Sequence, residues 1–222
     1  MTHSGLQKSK NSRKFLTDAN KKHIPCVLDK TMTLVATKPT VKKRAADSDQ
    51  KLSEAILYIS KHCAADHFFG AVKLNKILFF ADFFSYVRFG APVTGADYMK
   101  LRNGPVPRRF MPVKEALVEQ GRAKLEHRPL INGFVQKRIV AMDEPNISVF
   151  SGRDIEMFHE VIDFLRHASA DDVSKLSHDR AWKLAKPRET IPYQTAFVSD
   201  RKPKEERLKR ARELSRRHKW DG

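Results

Sequence analysis

Two cysteines, Cys26 and Cys63, are all that 222 residues contain. Two thiols cannot build a disulfide framework or complete a four-ligand structural zinc site, and the scarcity suits a reducing compartment. His62 and His67 lie close to Cys63, but the adjacent pair points to different helix faces and a fourth ligand is missing, so no metal or other cofactor is expected. The chain also lacks the common catalytic signatures: no GxxxxGK(S/T) phosphate loop, no GxGxxG after a strand, no GxSxG elbow and no HExxH helix. Ser177-His178-Asp179 is a tempting string, yet triad members converge from distant positions around a base oriented by a third group, which three neighbours in a row do not do. The expectation is a protein that is not an enzyme. No apolar segment follows the early lysines, so no secretory leader is expected, and Met32 offers a second possible start. Lys73, Asn75, Lys76, Asp82 and Arg88 interrupt the longest apolar stretch well short of the ~20 residues a bilayer needs, which points to a soluble, cytoplasmic chain without a membrane partner.

What the chain does have is positive charge, +17 in all, concentrated at its ends. Residues 1–50 carry 11 Lys/Arg against 4 Asp/Glu and residues 201–222 carry 10 against 4, while the middle holds 22 against 18. Residues 1–48 have few large apolar positions and no periodicity, and read as a basic, disordered arm. Residues 49–200 read as one domain, and residues 201–222 as a basic helix or tail. In that last segment Glu205 with Lys209, Glu206 with Arg210 and Glu213 with Arg217 stand in the favourable i,i+4 orientation, and Leu208, Ala211 and Leu214 make a narrow apolar stripe that Trp220 extends. Such a segment suits nucleic-acid phosphates or an acidic partner, with solubility alone as the plain alternative.

The organising stretch is 72–110, VKLNKILFFADFFSYVRFGAPVTGADYMKLRNGPVPRRF. Its first part, 72–89, has no Gly or Pro, is apolar nearly all round the helical wheel and stops at Gly90, so it predicts a buried central helix. Asn75, Asp82 and Tyr86 fall on one edge of that helix, and such groups need partners; a satisfied network that sets packing is the expectation. Residues 97–101 fit either a strand or a helical turn, and Asn103-Gly104-Pro105 marks a turn. Pro107 suits the first turn of a further helix ending at Gly121, in which Pro112 implies a kink or a true start near Met111. Leu52, Ile56, Ile59 and Cys63 recur at helical spacing. Ser151 caps a helix to about His167 with Ile155, Phe158, Ile162 and Leu165 inward, and Ser169 with Asp172 starts another over 170–177. Around Ile131-Asn132-Gly133 the pattern predicts a hairpin, with Leu125, Phe134, Ile139 and Val140 as candidates for burial. The fold class is therefore α+β, mainly helical: a buried central helix, amphipathic helices around it and a small antiparallel β-hairpin.

The run KLNKILFFADFF, a Gly-Ala-Pro turn and then NGPVPRRF resemble the SocA-like, or Panacea, antitoxin domain. That family is marked by a KLNKLLYF-like helix, a G-x-P turn and a GPV turn. The matching positions are Lys73, Leu74, Asn75, Lys76, Ile77, Leu78, Phe79 and Phe80, then Gly90 and Pro92, then Gly104, Pro105 and Val106. A late Ser-His…Ala-Trp segment is matched by Ser177, His178, Ala181 and Trp182, followed by Ile191-Pro192-Tyr193. The likeness covers 52–197; Phe80 stands where a Tyr-Phe pair is common, and both basic ends lie outside the pattern. The resemblance implies an antitoxin that neutralises a cognate, neighbour-encoded toxin by direct binding, some family members also acting as adaptors that hand the toxin to a Clp-type protease. Most motif positions read as structural. Lys100, Arg102, Arg108 and Arg109 around the GPV turn are the candidates for contacting a partner, whether an acidic toxin surface or RNA. The alternative reading is a basic nucleic-acid-binding protein that uses its charged tails, though no helix-turn-helix or aromatic-basic strand is evident.

Overall fold

The computed structural model describes residues 41–130, 133, 135–197 and 205–218. Helix α1 (Val41–His62) leads to the central helix α2 (Ala71–Phe89), then strands β1 (Tyr98–Leu101) and β2 (Gly104–Pro107), helix α3 (Phe110–Glu119), strands β3 (Ala123–Pro129) and β4 (Val135–Ala141), helices α4 (Gly152–Leu165), α5 (Ala170–Ser177) and α6 (Arg180–Leu184), strand β5 (Thr190–Ile191) and helix α7 (Glu205–His218). The class is α+β and mainly helical, with small antiparallel sheets. No helix among the described residues is long and apolar enough to cross a membrane.

Helix α2 is the predicted rod. It ends at Gly90, whose φ of 75° lets its N–H close back on the Tyr86 carbonyl at 2.9 Å. Leu74, Ile77, Leu78, Phe79, Ala81 and Phe83 are buried, and α1, α4, α5 and β2 all touch it. Full burial of each such large aliphatic or aromatic side chain is worth roughly 1.5–3 kcal/mol, so the rod contributes a large share of the apolar burial that holds the fold. Helix α4 opens on the expected Ser151 cap, which Asp154 completes into a capping box, and α5 opens on the expected pair, Ser169 and Asp172, each serving the other's backbone. Phe158, Ile162 and Leu165 of α4 face the core as expected, with Ile155 half-buried and Met157 and Val161 added to them.

Four local expectations need correction. Helix α1 begins at Val41, inside the stretch read as an unstructured arm; its polar first half is tied down by tertiary bonds, Arg109 holding Asp49 with two nitrogens at 2.8–3.3 Å and Lys51 reaching the Val93 carbonyl at 3.2 Å. Apolar periodicity cannot register a helix end held by polar contacts. The link 97–107 is a hairpin, in register from Tyr98↔Pro107 to Leu101↔Gly104, with β5 pairing on the far side of β1. Pro107 therefore lies in β2, not in a helix, and α3 starts at Phe110. Pro112 falls in that first turn, where its missing N–H had no intrahelical partner to lose. In the second hairpin, β3–β4, Ile139 is buried and Val140 half-buried, but Leu125 is 44% exposed and Phe134 lies outside the described residues. The strand's inward anchor is instead Arg138, whose guanidinium donates to the carbonyls of Cys63, Ala64 and Asp66 and sits over the Phe69 ring, pinning the hairpin to the α1–α2 loop. In α7 the ion contact among the described residues is Arg212 with Glu205 at 4.0 Å rather than the three expected i,i+4 pairs. Cys26, Met32 and Trp220 lie outside the described residues.

Candidate functional site

The first turns of α2 place two lysines inward, each only 1% exposed. A buried ammonium has three protons to satisfy. Lys73 meets that demand: its Nζ donates to Asp66 Oδ2 at 2.6 Å and to the Arg166 and Ala168 carbonyls at 2.9 and 3.0 Å, joining the start of α2 to the end of α4. Lys76 has a poorer setting, with the Pro105 carbonyl accepting at 3.0 Å, and burial lowers its pKa to about 7.

Gly104 explains why this lysine and the GPV turn belong together. Its φ is +101°, and a Cβ there would stand 2.5 Å from Ser177 Oγ, 2.6 Å from Lys76 Cε and 2.7 Å from Lys76 Nζ. The glycine thus supplies close approach as well as a turn, and its neighbours come from two other segments of the chain. Trp182 closes the arrangement. Its Nε1 donates to the Leu101 carbonyl at 3.2 Å, its ring stacks on His178 at 3.7 Å and 10°, and Lys100 Nζ sits 4.2 Å from its centroid. The two rings do not share one helix: α5 stops at Ser177, and Asp179 caps α6 by accepting from Trp182 N at 2.8 Å. A bend between two short helices brings the rings together instead. The imidazole Nε2 of His178 is buried without a partner among the described residues. Burial, then the charges of Lys76, Lys100 and Lys183, lowers the His178 pKa. Ser177 Oγ donates to the Ser174 carbonyl at 2.8 Å, so Ser177, His178 and Asp179 have three separate tasks and form no triad.

The polar edge of α2 divides likewise. Asp82 is fully buried and accepts from Thr94 N at 2.6 Å, Thr94 Oγ1 at 2.5 Å and Tyr98 OH at 2.8 Å; burial raises its pKa against the pull of these bonds. Tyr193 completes the network, donating to the Ala96 carbonyl at 2.6 Å with its oxygen 3.4 Å from Asp82. This is the packing network expected of the edge, though Thr94 and Tyr98 carried no sequence signal beyond their place in a turn-rich link. Tyr86 packs its ring against Tyr193 and Phe197. Asn75 turns back on its own helix, Nδ2 donating to the Ala71 carbonyl at 2.8 Å, and leaves Oδ1 buried without a partner. Of the other motif positions, Leu74, Phe79 and Phe80 are core, Gly90 is the α2 cap, and Pro92 and Val106 are half-buried.

The four basic residues around the GPV turn differ in what they do. Lys100 donates to the Ala185 carbonyl at 2.9 Å, Arg108 to Thr190 Oγ1 at 2.9 Å and the Arg188 carbonyl at 3.2 Å, and Arg109 to Asp49. These three fasten the hairpin to the rest of the molecule. Arg102 stands at the hairpin tip, exposed, with no hydrogen bond or ion pair to another described residue. Beside it two open grooves of about 400 Å³ each meet across Val72 and Asn103. The first runs along Asn75, Lys76, Leu101 and Val106, the second along Ser174 and His178.

No curated protein and no solved structure matches the chain. Residues 74–183 match the family model described as "Antitoxin SocA-like, Panacea domain". The span takes in α2 from Leu74, the β1–β2 hairpin, α5 and α6 as far as Lys183, and so contains Lys76, Gly104, Ser177 and Trp182. Over residues 74–183, therefore, the chain carries a domain that matches the SocA-like Panacea antitoxin family.

Proposed function

We propose that this protein is a non-enzymatic, cytoplasmic antitoxin that neutralises a toxin encoded beside it by direct protein–protein binding. The family match over residues 74–183 carries the reading. The physics agrees with it: the motif residues are spent on holding a rigid scaffold rather than on lining a catalytic centre, and the hairpin tip they hold up is left exposed. A rigid domain that covers or distorts the toxin's working surface needs no chemistry of its own. A role as adaptor to a Clp-type protease is compatible with the same complex, the basic ends then being free for a second partner. A second reading, nucleic-acid binding, draws on α7, where Lys209, Arg210, Arg212, Arg216 and Arg217 are exposed.

Expression from the native locus, followed by pull-down through high salt and nuclease, separates the two. Phosphate binding loses roughly 10³ in affinity as salt rises severalfold, whereas a packed interface survives. One neighbour-encoded protein retained in stoichiometric amount, and toxic when expressed alone, is the expected result. Recovery of nucleic acid alone, lost with salt, would overturn the antitoxin reading.

A further inference from the structure

The grooves beside the hairpin tip hold two polar atoms with unmet demands. Asn75, 6% exposed, lines the first and offers a buried acceptor, Oδ1, that nothing donates to. His178 lines the second with its Nε2 likewise unpartnered. Buried polar atoms in folded proteins are nearly always satisfied, so an orphan beside a groove points to a ligand that brings the missing partner. Between them the floor is apolar, from Val72, Leu101 and Val106. The electrostatic setting is positive: Arg102 stands unpaired at the rim, and Lys175 meets Asp171 at the far side, cancelling the acidic side chain there.

Resting on the antitoxin reading, we infer that this groove is where the toxin docks, through an extended segment carrying at least one Asp or Glu. Main chain is the group that alternates N–H and C=O along an apolar floor; a segment N–H donates to Asn75 Oδ1, and its carboxylate pairs with Arg102. Addition of the segment as a further strand on β2 is excluded, because Pro105 and Pro107 have no N–H and Lys76 already takes the Pro105 carbonyl. The segment therefore lies across α2 and α5 beside the hairpin, with its acidic side chain toward the tip.

The test uses the full chain and the toxin recovered from its locus. Arg102→Glu reverses the rim charge at an exposed position and Ser174→Tyr fills the second groove; Lys137→Glu on the β3–β4 hairpin is the charge-matched control. Thermal melts verify that all three fold. Expected are losses of about tenfold or more in toxin affinity for Arg102→Glu and Ser174→Tyr, none for Lys137→Glu, and binding of at least one 15-residue peptide tiling the toxin that disappears when its Asp and Glu become Asn and Gln. Toxin held equally well by the folded Arg102→Glu and Ser174→Tyr chains overturns the groove while leaving the antitoxin reading intact. Groove variants that weaken retention of nucleic acid and spare the toxin also overturn it. If the unaltered chain retains no neighbour-encoded protein, the antitoxin reading fails and the groove assignment with it.

Discussion

Replacing Lys76 by methionine should make the protein more stable at neutral pH and less stable in alkali. The reasoning starts from one amine. In the unfolded chain a lysine holds its proton up to pH 10.5; in the folded chain burial lowers that value to about 7. Between those two values the unfolded chain carries one proton more than the folded chain, so stability rises with pH across the window and is flat below it, where both forms are charged. At 1.36 kcal/mol per pH unit the whole window is worth about 5 kcal/mol, an order-of-magnitude figure but a large part of the 5–15 kcal/mol by which domains are stable. Methionine keeps a flexible stem of similar volume and does not ionise. It forfeits the bond to the Pro105 carbonyl, a loss of about 1.5–3 kcal/mol. At pH 7 the relief from burying charge exceeds that loss, and Lys76→Met should be ahead by roughly 1–3 kcal/mol; near pH 9 the order should reverse. Urea unfolding of both chains by circular dichroism at half-unit steps from pH 7 to 10 measures the difference, in which the other titrating groups cancel. Curves that stay parallel would refute the reasoning, since they would mean that Lys76 keeps an ordinary pKa in the fold.

Gly104→Ala should cost at least about 3 kcal/mol, lowering Tm by roughly 6–12 °C in a calorimetric scan, because the new Cβ meets Ser177 Oγ at 2.5 Å on a backbone with φ of +101°. An unchanged Tm would mean that the hairpin tip is not seated against α5. Asp82→Ala strips Thr94 and Tyr98 of their buried acceptor and should cost about 3–5 kcal/mol. Since burial raises the Asp82 pKa, its stabilising contribution is full below the unfolded value of 3.8 and declines as pH rises through the folded value. The penalty of the alanine variant, measured by urea unfolding, should thus be greater at pH 4 than at pH 7. Cys63 is 4% exposed and its thiol is pushed up to about 12 by burial. In a Cys26→Ser background its alkylation by iodoacetamide at pH 8 should run about 10³-fold slower in the native chain than in urea, and equal rates would show that the α1–α2 junction opens freely.

Sequence patterns revealed the parts of this fold in which one physical signal acts alone. The α2 rod announces itself by an apolar run with a glycine stop, and α4 and α5 by serine caps with an aspartate three residues on. Elements assembled by contacts between distant residues left fainter traces. The first half of α1 looks featureless because Asp49 finds Arg109 sixty residues away. The β1–β2 hairpin hides behind two prolines, and its third strand is two residues long. At the site, the motif letters identified Lys76, Gly104 and Trp182, but nothing local says that the first two touch. A lysine pair at i,i+3 on a helix apolar on every other side was the available clue: such a helix has no solvent face to give them, so they had to end on internal acceptors.

That inward placement decides how the motif can act. Lys73 and Lys76 are not a basic patch for a partner to feel; they tie α2 to the end of α4 and to the Pro105 carbonyl, while Gly104 permits the approach and Trp182 clamps the Leu101 carbonyl on the facing strand of the hairpin. Their joint product is the position of Arg102 and Asn103. A scaffold and an interface leave different marks when altered. Changes at the buried motif residues move the hairpin tip and shift stability and toxin binding together, Lys76→Met at neutral pH being informative because its stability rises: if binding depends only on how firm the scaffold is, the methionine chain should bind toxin at least as tightly as the unaltered one. Arg102, with no partner inside the described molecule, contributes nothing to firmness, and its reversal should lower binding while leaving Tm unchanged. If both substitutions weakened binding with Tm unmoved, Lys76 would belong to the contact surface itself, its amine reached from the groove through Asn75, and the division between scaffold and interface would have to be redrawn around α2.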